Sequence, residues 1–370
     1  MEIFKPLSFD KALALITLVL LVVGFIMVFS TTAVLAGQKY SQYAYYLIQQ
    51  LLGAGAGLVL VAVIMFVRKP FYENPLLIYG LLAFSIFLLA LCFVMPPVAR
   101  VNRWVMFSGT RFQPSELAKI SLILFLAHYL EKKRDRLREW RTLIFPIFIV
   151  ALCTLLILKE PDYGTAILVF FISAVMFYLG GARLLHLGIL GAAAAVFFAF
   201  FLFQASYRVE RVAGFMSPDK DPLGRSYQPI QSKLAVGSGG LFGVSLGMSI
   251  QKLYFLPSAH TDFIYAIVGE EFGLLGTLTI LFVFFAFLWR GLVISSRAPT
   301  PTSQLVALGL TLVIGIQALL NISVVLGLGP AKGVPLPLVS FGRSSLVCNL
   351  AAIGIILNIS QRKSNERKNI

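Results

Sequence analysis

Apolar runs of helical length, separated by short polar connections, repeat along the whole chain. Ten of them are read as membrane-spanning helices, at roughly 12–33, 45–66, 76–95, 115–130, 143–158, 164–181, 184–205, 263–289, 304–328 and 338–359, because a helix of about 20 residues crosses a hydrocarbon core of about 30 Å. The fourth run is short and begins after Pro114; the fifth ends at Lys159. Only one connection is long, the polar, glycine-rich stretch 206–262. The first run continues from Ala12 to Thr32 with no small-residue cleavage site, so it is expected to remain as a span. The pattern predicts an all-α polytopic membrane protein, a single integral membrane domain over residues 1–370.

Composition narrows this further. Of 370 residues, 58% are apolar and 13% charged, about half the charged share of a soluble domain. A cytosolic enzyme and a disordered chain are excluded. The three cysteines, Cys92, Cys153 and Cys348, each lie in an apolar run with no metal-ligand spacing, so they read as buried thiols. That excludes a disulfide scaffold.

The net charge of +15 orients the spans. Basic residues gather at both termini and on alternate connections, most densely at Lys132, Lys133, Arg134, Arg136, Arg138 and Arg141. By the excess of bases on cytoplasmic loops, both termini are inside. The charge then anchors the protein against anionic inner-leaflet lipid; bases dispersed among spans do not suit nucleic acid. The loop 206–262, between helices 7 and 8, faces outward. So does 96–114, where Trp104, Phe107 and Phe112 interleave with Arg100, Arg103 and Arg111. That mixture predicts a helix or re-entrant piece at the lipid interface, or an ordinary anchored loop.

With only 16 acidic residues, those at the outer face or inside spans can each be weighed, since ionisable groups in a membrane are costly and are functional candidates by default. Asp262 stands where the polar loop meets span 8, with His260 two residues earlier. Desolvation there raises a carboxylate pKa toward a useful range; the same position also suits a helix N-cap. Glu270 is expected on the Asp262 side of the helix and Glu271 opposite. Glu116 and Lys119 share a helical face at i, i+3, as a working pair or as helix-start chemistry. Asp162, with Lys159 and Glu160, lies between spans 5 and 6 and either acts or caps span 6. Arg208, Arg211, Lys220, Arg225, Lys233 and Lys252 make the outer loop basic enough for an anionic ligand such as a diphosphate. Its glycines from Gly237 to Gly247 allow close backbone approach. No Walker, HExxH, GxSxG or CxxC motif is present.

Five stretches, RFQPSELAK, EPDYGTA, DPLGRSYQPIQS, IQKLYFLPSAHTDFIYAIVGEE and GPAKGVPLPLVSFGRSS, resemble the SEDS family (shape, elongation, division and sporulation), the FtsW, RodA and SpoVE-type proteins of bacteria. The resemblance covers nearly the whole chain. IQKLYFLPSAH and PAKG are more similar to FtsW and SpoVE than to RodA. Family members commonly carry Glu where Ser258 stands and Tyr-Gly-Gly where Phe341, Gly342 and Arg343 stand, which puts fine specificity in question.

The resemblance implies a peptidoglycan glycosyltransferase that polymerises lipid II on the outer face of the cytoplasmic membrane. Its implied partners are a class B penicillin-binding protein and other divisome or elongasome proteins. It also implies that Asp262 is the essential residue. The chemistry agrees: an α-linked diphosphate donor and a β product need one inverting displacement, a base for the acceptor hydroxyl and positive charge for the leaving group. Asp262 is the expected base. Arg211, Lys252, Lys119 and Lys332 are the expected cations, and His260, Trp104, Glu116, Asp162 and Gln231 the other expected substrate contacts, Trp104 flanking a groove for the polyprenyl tail. Mg2+ or Mn2+ would find hard oxygen ligands in Asp262, Glu116 or Asp162. A lipid II flippase, a non-catalytic scaffold for the penicillin-binding protein, and an ion-coupled transporter are the competing functions.

Overall fold

The computed structural model describes residues 9–67, 70–96, 101–107, 110–204, 206–217, 221, 224, 226–330 and 333–366. Helices form where the apolar runs place them. They are α1 (Lys11–Tyr40), α2 (Tyr45–Phe66), α3 (Pro75–Leu91), α4 (Pro114–Lys132), α5 (Trp140–Lys159), α6 (Tyr163–Gly180), α7 (Leu184–Phe203), α8 (Ser206–Met216), α9 (Tyr227–Ser238), α10 (Ile264–Ser296), α11 (Pro301–Val325) and α12 (Arg343–Glu366). Among the described residues, α1, α2, α5, α6, α7, α10, α11 and α12 are long and apolar enough to cross a membrane. The shorter α3 and the charge-bearing α4 complete the expected ten.

Local chemistry sets the ends. The Asp10 carboxylate accepts from Leu13 N–H at the start of α1. Asn74 caps α3 ahead of Pro75. Thr300 and Ser303 form a reciprocal capping box around Pro301 at the start of α11. Each satisfies amides that the first helical turn leaves without partners.

Ties between helix ends fix the vertical order. Arg290, near the end of α10, pairs with Asp10 at 2.7 Å. Asp10 N–H donates to Ser360 Oγ on α12, and the Thr300 hydroxyl donates to Glu73 at 2.6 Å. Residues 10, 73, 290, 300 and 360 therefore share one face, the basic one, as an even number of spans requires. Helix α4 is buried along most of its length, and α11 and α12 are enclosed by their neighbours. Helix α7 turns nearly all of its surface outward, burying only His186 and Ala194.

Two expectations are corrected. The described part of the stretch before α4 is not a helix. It contains an antiparallel hairpin, β1 (Val105–Phe107) with β2 (Thr110–Phe112), in the register Val105↔Phe112 and Met106↔Arg111. Buried Val105 alternating with exposed Met106 is the period of two that a half-buried strand needs. The long connection is also more ordered than a loop. It holds α8, α9 and a π-helical turn at Gln251–Phe255. The cysteines are free and buried, as expected.

Candidate functional site

Helix α10 sets the depth of the site. Arg290 ties α10 to the basic face. From Arg290 back to Leu274 the helix rises about 24 Å, and its path breaks at Gly273. Asp262 lies before the first residue of α10, at the end opposite the basic face. It does not occupy the cap position of α10: the N-cap is Phe263, whose side chain makes no capping bond.

The segment carrying Asp262 is held by three successive carbonyls. His260 O accepts from Phe341 N–H at 3.0 Å, Thr261 O from the Ser340 hydroxyl at 2.6 Å, and Asp262 O from Asn321 Nδ2 at 2.7 Å. The same Asn321 amide donates to Val334 O at 2.8 Å. Asn321, one turn above Gln317 on α11, so joins the Asp262 turn to the loop before α12. Its own Oδ1 is buried and finds no partner among the described residues. Asp262, Phe263, Leu320, Asn321, Val324, Gly333 and Val334 line a small cavity there.

Arg103 approaches the same place from the other side. A Cβ at Gly333 would lie 3.5 Å from Asp262 Oδ2 and 4.0 Å from Arg103 Nη1; carboxylate and guanidinium converge on this glycine. Arg103 is fixed by backbone oxygens, its Nε donating to Glu160 O at 2.9 Å and its Nη2 to Pro161 O. The Glu160 carboxyl is fully buried below, and its oxygens meet no donor of good geometry among the described residues. Burial first, then the nearby Asp162 charge, push its pKa up to about 8, against weaker opposing effects of the Cys92 thiol and Arg103.

A second polar cluster lies deeper. Lys119 Nζ binds Glu116 at 3.0 Å and Gln317 Oε1 at 2.7 Å, and Gln317 Nε2 donates to Pro335 O. Lys119 and Glu116 are thus buried partners supporting the loop below Val334. Asp162 caps α6 through Thr165 N–H and accepts from Gln113 at 3.3 Å. His260 packs between Tyr46 and Phe341, and burial lowers its pKa, leaving it neutral near pH 7. Trp104 is half-buried where the chain enters the hairpin.

Other expected contacts lie apart. The charge of Lys252 is taken up by Glu271 at 2.6 Å, with Ser30 bridging the two. The Glu270 carboxylate accepts from Ser249 Oγ and from the N–H groups of Ile250 and Gln251. The loop glycines approach α10 closely. Gln231 sits half-buried on α9, whose Ser232 holds Val325 O. Arg211 lies on α8; its side chain, and all of Lys332, fall outside the described residues. No group of three or more His, Cys, Asp and Glu side chains forms a metal cluster among the described residues.

Arg103, Asn321 and Gln317 were missed as site residues. The available signal was an amide pair at i, i+4 in an otherwise apolar span.

The FtsW/RodA/SpoVE family model, described as a cell cycle protein, matches residues 11–365. A probable peptidoglycan glycosyltransferase FtsW of Trichlorobacter lovleyi is 37% identical over 96% of this chain and 94% of its own. Stage V sporulation protein E of Bacillus subtilis is 38% identical over 96% of this chain and 98% of its own. Among solved structures, a chain from a peptidoglycan synthase complex that coordinates polymerization and crosslinking superposes with a TM-score of 0.78 at 27% identity, covering 96% of this chain and 99% of that one. The rod shape determining protein RodA of Thermus thermophilus gives 0.71 at 27% identity, over 97% and 98%. The match over nearly the full length, in sequence and in fold, settles the family: the chain belongs to the FtsW/RodA/SpoVE group, the SEDS proteins.

Proposed function

We infer that the protein is a peptidoglycan glycosyltransferase of the cytoplasmic membrane, and that it joins disaccharide units of lipid II with Asp262 as general base. The observation that carries this reading is the convergence of Asp262 and Arg103 on Gly333 at the outer rim. The acceptor 4-hydroxyl gives its proton to the Asp262 carboxylate as its oxygen attacks the donor anomeric carbon. The bond from that carbon to the diphosphate oxygen breaks, and the electron pair leaves on the diphosphate. One such displacement inverts the α donor to a β product and needs no covalent enzyme intermediate.

Arg103 is the cation assigned to the departing diphosphate, in place of Lys252 and Lys119, whose charges are met by Glu271 and Glu116. Its anchoring to two carbonyls leaves a planar fork suited to phosphate oxygens. Asn321 Oδ1, without a partner among the described residues, lines the same small cavity as Asp262. The Asp262 carboxylate and this amide oxygen are the hard donors that would hold a divalent ion, Mg2+ or Mn2+. Such an ion would supply charge neutralisation at the leaving group. A class B penicillin-binding protein is the proposed crosslinking partner, with division or elongation proteins around it.

The test is polymerisation of lipid II by the purified protein in detergent, with the partner transpeptidase and Mn2+ supplied. Glycan polymer is expected with no membrane to cross. Its absence under these conditions would favour transport. An Asp262→Ala protein that binds the transpeptidase normally and still polymerises would overturn the assignment of the base.

A further inference from the structure

We propose that residues 240–255 form a re-entrant wedge lying in the outer leaflet, with lipid acyl chains as its contact. Helix α10 is broken within its length. Gly273 has φ 64° and ψ −158° inside this helix, so the helical ladder is interrupted there. The outer loop completes it. Val244 N–H donates to Glu270 O and Ser245 N–H to Glu271 O; in return Leu274 N–H donates to Gly240 O and Leu275 N–H to Leu241 O. Gly243, at φ +82°, comes so close that a Cβ would lie 2.1 Å from Glu271 O.

Depth decides what surrounds this junction. Leu274 is about 24 Å along α10 from Arg290, within a hydrocarbon core of about 30 Å. Irregular backbone at that level is tolerated only where its polar groups are satisfied, and the exchange with α10 pairs the amides of Val244, Ser245, Leu274 and Leu275. The side chains answer to the same environment. Leu241, Phe242, Leu246, Met248 and Ile250 are 53–78% exposed. They continue the exposed apolar surface of Leu274 and Leu275 on α10. Most polar groups of the segment are engaged on its inner side: Ser249 and the 250–251 amides bind Glu270, and Lys252 binds Glu271. Gln251 Oε1 is buried without a partner among the described residues, and Ser245 is exposed. An apolar outside over a largely engaged polar inside is what a lipid-embedded segment requires. Continuity with the lipid-facing side of α10 favours acyl chains over a protein partner.

The test uses the full-length protein reconstituted in phosphatidylethanolamine–phosphatidylglycerol vesicles. An environment-sensitive fluorophore is placed through Phe242→Cys, with Val59→Cys as a lipid-facing reference and Gln42→Cys as an aqueous one. Doxyl-labelled phospholipid is expected to quench the Phe242→Cys probe several-fold more than the Gln42→Cys probe and about as strongly as the Val59→Cys probe. Quenching no greater than at Gln42→Cys would overturn the proposal. So would shielding that arises only when the transpeptidase partner is added, which would identify a protein interface. Met248→Cys gives the same readout if Phe242→Cys does not assemble.

Discussion

The Asp262 turn is held through its backbone, by a side chain that carries no charge. Asn321 is a neutral amide, invisible to a search for charge, yet its Nδ2 holds two carbonyls from segments 59 and 13 residues away in sequence. Replacing it by Leu leaves those carbonyls buried without a donor, at about 1–3 kcal/mol each. Asn321→Leu is therefore expected to lower thermal stability in detergent and to reduce polymerisation by more than tenfold, through a displaced Asp262. Unchanged polymerisation would show that the carbonyl ties do not set the carboxylate's position. Arg103 was read as an interfacial anchor because its ties run to backbone oxygens 57 and 58 residues on, which no motif records. Glu160 gives a pH prediction. Its pKa rises from 4.5 to about 8 on folding, so the folded state holds a proton that the unfolded chain releases. Its stability contribution is full below about pH 4.5 and is lost as pH climbs toward 8. Melting temperature measured across that window should fall for wild type and fall less for Glu160→Gln.

At the scale of elements, the ten spans were legible because length and apolar content determine them. The connections were not, because their structure is written in contacts across the chain. The 96–114 stretch mixes aromatics and arginines as an interfacial helix would, but buried Val105 and its partner Phe112 favour a hairpin. The glycine-rich run was expected to approach a ligand; its backbone instead repairs the break in α10. That junction has little tolerance. Gly243→Ala would force a side chain against the Glu271 carbonyl at a positive φ, and strain of this kind costs about 1–3 kcal/mol before any clash. A lower unfolding temperature is expected for Gly243→Ala. Gly237→Ala, where a Cβ meets open space, should leave that temperature nearly unchanged. Equal effects at both positions would mean the junction is loose.

For the molecule as a whole, the distribution of bases predicted the orientation, and the ties among residues 10, 73, 290, 300 and 360 group the matching helix ends. The opposite ends deliver Asp262, Arg103, Asn321 and Gly333 to one place. They come from the turn before α10, the hairpin approach, α11 and the loop before α12, so only the assembled bundle makes the site. Proton transfer at Asp262 is the step this assembly is proposed to perform. It is tested most directly by measuring, on the same Asp262→Asn preparation, lipid II binding and the rate of glycan polymerisation. General-base catalysis contributes about 10²–10⁴-fold; the rate is predicted to fall by that order while binding stays within a few-fold of wild type. A variant that polymerises at the wild-type rate, or one whose loss is entirely in binding, would contradict it.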